Sequence, residues 1–172
     1  ARVVRIPQIS WYHKLEAGPS WHKLYLDLLL LFKSFSSARS FRPHLIHAHL
    51  HEGALLGFLL KLIVRLPLLF DYQGSLSGES LNHGFFRSNS LLHRLFVFIE
   101  RIIDRCADVI ITSSSEGRCE LVRDWGIASG KVTTLIDGVD PDIFAPCSRS
   151  EARRELGISE DAKVVVYLGL FN

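Results

Sequence analysis

Three short stretches of this 172-residue chain hold side chains suited to chemistry. The first is His47-Ala48-His49, followed at once by His51 and Glu52. In an extended segment, residues two apart point to the same side. His47 and His49 therefore form either a hydrogen-bonding pair or two ligands of a metal ion, with His51 continuing the series. A zinc site takes three or four ligands, and Asp71 and His83 are the only other candidates, neither marked by its spacing. The first reading is accordingly a packed, tautomer-locked His47 beside a His49 that faces a cleft as a hydrogen-bond donor. Glu52 and Asp71 are strand-end carboxylates able to act as bases; helix capping and loop hydrogen bonding are their plainer roles.

The second stretch is Gln73-Gly74-Ser75. It offers a side-chain amide and backbone N–H groups, and the glycine permits close approach. Such a set suits a polyhydroxylated or phosphorylated ligand, and equally a plain strand-to-loop turn. The third is Ser113-Ser114, which precedes a helical pattern whose N-terminus favours anions; capping alone accounts for Ser113. Asp137-Gly138 reads as a turn. No G-x-S-x-G elbow occurs, so a hydrolase serine has no support.

The elements that must position these groups follow from periodicity. Strands are expected at Arg2–Ile6, His44–Ala48, Leu68–Tyr72, Asp108–Thr112, Lys131–Ile136 and Lys163–Leu168. Helices are expected at Trp21–Phe35, with Ser20 as N-cap and Leu24, Leu28, Leu31 and Phe35 on one face; at Glu52–Val64; and at Leu91–Cys106. Ser113-x-x-Glu116 is a capping box opening a helix that stops at Gly126, and Ser148-x-x-Glu151 opens a shorter one that ends at Gly157. Residues 73–89 are expected as a long loop. Strict alternation of strand and helix predicts an α/β fold, a doubly wound parallel sheet covered by helices on both faces. Ligands of such sheets bind outside the carboxyl ends of the strands, and that is where all these polar clusters fall.

Composition narrows the function classes. With 48% apolar and 22% charged residues the chain can bury a core and is not disordered. A net charge of +2 does not argue for nucleic acid. Residues 1–86 hold 9 Lys+Arg, 5 Asp+Glu and 7 of the 8 His, whereas residues 87–172 hold 11 and 13. The basic first half suits an anionic ligand, a membrane surface or an ordinary solvated face. Cys106, Cys119 and Cys147 form no C-x-x-C, and the first two are expected as buried free thiols in a reducing, cytoplasmic compartment. Neither Leu24–Phe32 nor Ala54–Phe70 has the ~20 nearly uncharged residues of a spanning helix.

Pro43–His49, Ala107–Ser114 and above all Lys131–Pro146, with its Asp137-Gly138-Val139-Asp140 and following Phe144 and Pro146, closely resemble the group 1, family 4 type glycosyltransferases of the GT-B fold. The resemblance covers about Arg42 to Gly169. It implies two Rossmann-like domains facing across a cleft: an N-terminal one that binds acceptor and a C-terminal one that binds a UDP- or GDP-linked sugar. It also implies transfer that retains anomeric configuration without a metal or other cofactor, the leaving diphosphate being stabilised electrostatically. On it, residues 1–147 are expected to be the acceptor-side domain without its first strand, and 148–172 the linker and first strand of the donor-binding domain. The absent Met and the ends at Ala1 and Asn172 are expected to mark a piece of a longer enzyme, inactive alone.

Where the family often has His-Gly after a strand, this chain has Gln73-Gly74, so the resemblance assigns Gln73 the catalytic contact with the transferred sugar. Substrate binding is expected at the strand-end residues His49, Glu52, Gly74, Ser75, Ser114, Asp137 and Gly138. Expected partners are a nucleotide-sugar donor and a sugar or lipid-linked acceptor, and no nucleic acid; the first helix either packs against the sheet, which its single apolar stripe favours, or makes peripheral contact at the inner membrane face. The alternatives are a metal-dependent hydrolase using His47 and His49, and a non-catalytic carbohydrate-binding module.

Overall fold

The computed structural model describes residues 3–9 and 22–168, which fall into two compact units, Ala1–Ile136 and Asp137–Asn172. In the first, α1 (His22–Phe41) precedes β1 (Ile46–His49), α2 (Leu50–Val64), β2 (Leu68–Tyr72), α3 (Leu76–Asn82) and α4 (Leu91–Cys106). β3 (Val109–Thr112) follows, then α5 (Ser115–Cys119) running into a π-turn at Glu120–Asp124, and β4 (Val132–Thr134). The four strands are parallel and lie in chain order, β1-β2-β3-β4.

Right-handed crossovers between sequential parallel strands put the connecting helices on one face of the sheet. On that face Ala48, Phe70, Ile110 and Val132 stand in register across all four strands, and all are buried. Leu68, Tyr72, Ile103 and Leu121 complete the core. On the opposite face, His47, His49 and Val109 are exposed. Asp108 ties the lower edge together. Its carboxylate accepts from Lys61 Nζ at 2.6 Å to each oxygen and from the Leu68 N–H at 2.7 Å, joining α2 to the starts of β2 and β3.

Several elements depart from the sequence reading. The first helix runs six residues past Phe35 to Phe41, since nothing breaks it before Pro43; Ser20 and Trp21 lie outside the described residues. It packs on α2 and not on the sheet, which leaves Leu24 and Leu28 exposed and only Leu31 and Phe35 half-buried. Residues 3–6 and 163–168 join no ladder among the described residues, because an extended segment becomes a strand only where a partner takes its N–H and C=O groups. The long loop contains α3, started by Ser75, whose Oγ accepts from Gly78 N. The cap of α5 is Ser114, accepting from Gly117 N at 3.0 Å, one residue later than the Ser113 capping box predicts. Cys106 is half-buried but Cys119 is exposed, contrary to the buried thiol expected there.

In the second unit, Ser148 caps α6 (Arg149–Glu155) as expected, accepting from Glu151 N at 3.2 Å. The Arg153 guanidinium holds the following loop by donating to the carbonyls of Ser159, Glu160 and Ala162.

Candidate functional site

The carboxyl ends of β2 and β3 open into a cleft of about 440 Å³, lined by Tyr72, Gln73, Gly74, Thr112, Ser113 and Ser114 on the strand side and by Glu116, Gly117, Glu120 and Asp124 along α5 and the π-turn. Gly74 has φ +142°, a conformation side chains rarely adopt, so glycine is required at this turn. The turn exposes the Gln73 amide. Gln73 Nε2 donates to Asp71 Oδ1 at 2.6 Å, and Asp71 Oδ2 lies 2.7 Å from His49 Nδ1. A His49–Asp71–Gln73 chain thus runs along the sheet edge. The His49–Asp71 contact is a close approach that is not aligned as a hydrogen bond, and the His49 side chain is 63% exposed.

The Tyr72 hydroxyl donates to Glu120 Oε2 at 2.9 Å. Burial, and then the Glu120 carboxylate, push its phenol well above the usual tyrosine range. The cleft lining holds three carboxylates and no Lys or Arg. It is suited to hydroxyl-bearing or cationic groups more than to a bare anion.

The structure brings Gln73, Gly74 and Ser114 into the cleft lining, with His49 joined to it through Asp71. Ser75 faces inward to cap α3. Glu52 pairs with Lys23 Nζ of α1 at 2.5 Å, fastening α1 to α2. Asp137 and Gly138 open the second unit and are exposed. His47 is exposed and stacked on His49 with ring centroids 4.4 Å apart, not packed as expected. Ligating atoms of His47, His49 and Asp71 all lie within 4.8 Å of one another and, among the described residues, form a group able to hold a cation.

His51 leaves this series. Leu50 adopts φ +61°, which turns the chain so that His51 drops to the buried side, edge-on to the rings of Phe70 and Tyr72. There it meets Glu100 and Asp104, two carboxylates that the sequence reading did not single out. Their four-residue spacing on the same helical face as Ile103 was the available signal. Burial pushes the Asp104 carboxyl up, opposed by His51.

Residues 1–138 match the glycosyl transferase 4-like domain. The chain is 30% identical over 127 residues to D-inositol 3-phosphate glycosyltransferase 2 of Catenulispora acidiphila, covering 73% of this chain and 29% of that one. It is 36% identical over 70 residues to D-inositol 3-phosphate glycosyltransferase of Kribbella flavida, covering 41% and 16%. The chain therefore spans less than a third of these relatives. Among solved structures, sucrose-phosphate synthase from Thermosynechococcus elongatus superposes with TM-score 0.65 at 18% identity, over 87% of this chain and 36% of that one. Anabaena Alr3699/HepE in complex with UDP superposes with TM-score 0.55 at 21% identity, over 74% and 32%. These structures share the fold, a parallel Rossmann-like sheet as expected from the strand–helix alternation. The chain belongs to the glycosyl transferase 4-like family.

Proposed function

We propose that the protein containing this chain transfers a sugar from a nucleotide-diphosphate sugar to an acceptor hydroxyl, with retention of configuration, and that residues 1–147 supply the acceptor side of its cleft. Residues 148–172 are, on this reading, the start of the donor side. The observation that carries it is the strand-end cleft of a family member in which Gly74 presents Gln73, Asp71 accepts from the Gln73 amide, and His49 stands beside Asp71. Gln73 hydrogen-bonds the transferred sugar, taking the role of a histidine imidazole with its amide. His49 hydrogen-bonds the acceptor hydroxyl, while Gly74 and Ser114 shape the substrate path. The three carboxylates lining the cleft favour a neutral, hydroxyl-rich acceptor. A UDP-linked donor is supported by neighbours of the same fold solved in complex with UDP and with UDP-glucose.

No helix among the described residues is long and apolar enough to cross a membrane. Peripheral contact at the inner face is part of the proposal, because α1 exposes Leu24, Leu28 and Phe32 beside Lys33 and Arg39. Flotation with anionic and neutral liposomes tests that contact.

The deciding experiment incubates the full parent protein with UDP- and GDP-sugars plus EDTA and follows nucleotide release and glycoside formation. Transfer that persists in EDTA is expected. Activity abolished by the chelator and restored by zinc would instead favour a hydrolase built on His47, His49 and Asp71, the second reading their proximity supports.

A further inference from the structure

We propose that Glu100 is a positioning residue for the cleft, holding Gln73 and Gly74 in place through the first turn of α3. Glu100 is fully buried. Its Oε1 accepts from Leu76 N at 2.8 Å and its Oε2 from Ser77 N at 3.0 Å. The other amides of that turn are also satisfied internally: Gly78 N donates to Ser75 Oγ at 3.0 Å, and Glu79 N to the Ser75 carbonyl at 3.0 Å. The first turn of α3 thus has no free donor for a substrate anion. Its hydrogen bonds serve to lock the turn. Gln73 and Gly74 sit between two anchors, the β2 ladder ending at Tyr72 and the Glu100-held start of α3, with Gly74 in its glycine-only conformation between them.

The same cluster reaches the other half of the polar chain. His51 Nε2 lies 3.6 Å from Glu100 Oε1 and 3.3 Å from Asp104 Oδ1, neither contact being aligned as a hydrogen bond. His51 is two residues beyond His49. Glu100 therefore fastens the segment that follows Gln73, and stands beside the segment that follows His49. Tyr72 and Glu120 are the remaining ionisable groups around it. An apolar residue at this position would leave two helix-start amides without an acceptor.

This inference rests on the reading that Gln73 touches substrate, so its test has two arms. Glu100→Gln keeps the shape but turns an NH2 toward one of the two amides. In the first arm, hydrogen exchange on the 172-residue chain is expected to show protection at Leu76 and Ser77 falling at least tenfold, with β2 and β3 amides unchanged. Unchanged protection at Leu76 and Ser77 overturns the clamp. An equal loss across β2 and β3 also overturns it, since Glu100 would then serve the whole core. In the second arm, the parent protein carrying Glu100→Gln is expected to lose at least tenfold in kcat, with KM for the nucleotide sugar within twofold. Unchanged kcat despite lost protection overturns the positioning role. A wild-type parent that transfers no sugar refutes the proposed function, and the exchange arm still decides whether Glu100 holds the turn.

Discussion

Replacing Gly117 by alanine tests how tightly α5 sits on the end of β3, and with it the shape of the cleft wall. A Cβ at this position would stand 2.5 Å from Thr112 Oγ1 and 3.3 Å from Ser114 Oγ, where ordinary contact begins at 3.4 Å. The first contact is short by 3.4 − 2.5, about 0.9 Å. Thr112 is buried, so turning its hydroxyl aside must displace packed neighbours. The helix must therefore move, straining the Ser114 cap whose Oγ accepts from the Gly117 N–H at 3.0 Å. Overpacking of this kind costs about 1–3 kcal/mol. The better helix propensity of alanine offsets up to about 1 kcal/mol of that. The expected net loss is about 1–2 kcal/mol, or roughly 3–6 °C in Tm for a chain of this size. Gly130→Ala is the control, since a Cβ there meets nothing within 4 Å. The assay is urea or thermal unfolding of both variants beside the wild type. Equal stability of Gly117→Ala and Gly130→Ala would refute the reasoning, because the wall would then have room that the geometry denies it.

Asp108→Ala should cost about 1 kcal/mol at neutral pH, a charged hydrogen-bond contribution discounted because the side chain is 45% exposed. The Lys61 ammonium and then the Leu68 N–H hold the Asp108 carboxyl below its ordinary value of 3.8, so its contribution is present above that pH and lost as pH falls through the lower folded-state value; unfolding midpoints should therefore converge in acid, and a gap that persists there would exclude the carboxylate as its source. Tyr72→Phe removes the donor to Glu120 Oε2 and should cost about 1 kcal/mol, read from denaturation, and an unchanged midpoint would mean that this hydrogen bond contributes nothing net.

Local signals were legible where local physics decides the outcome. Leu68–Tyr72 and Leu91–Cys106 appear with the bounds their periodicity predicts, and Ser148 caps its helix at the expected residue. The capping box at Ser113 failed by one residue, because two adjacent serines offer the same oxygen and only backbone geometry chooses Ser114. Arg2–Ile6 and Lys163–Leu168 have strand-like composition, but ladder pairing is a property of two segments and one segment's composition cannot report it.

The sequence by itself determined that this chain folds as a parallel α/β unit with its polar clusters at the carboxyl ends of the strands, because alternating periodicity and strand-end chemistry are local. It placed Gln73, Gly74 and Ser114 where the cleft is found. Only the tertiary structure decided which neighbouring polar residues face one another. His49 and His51, two apart in the chain, part to opposite sides of the sheet because Leu50 turns through a left-handed conformation. Glu100 and Asp104, which by composition alone suggest a solvated helix face, are fully buried, and Glu100 takes two amides at the start of α3. The physical reason is that burial and close pairing depend on what residues 23–53 positions away pack against, a separation that no window of periodicity spans.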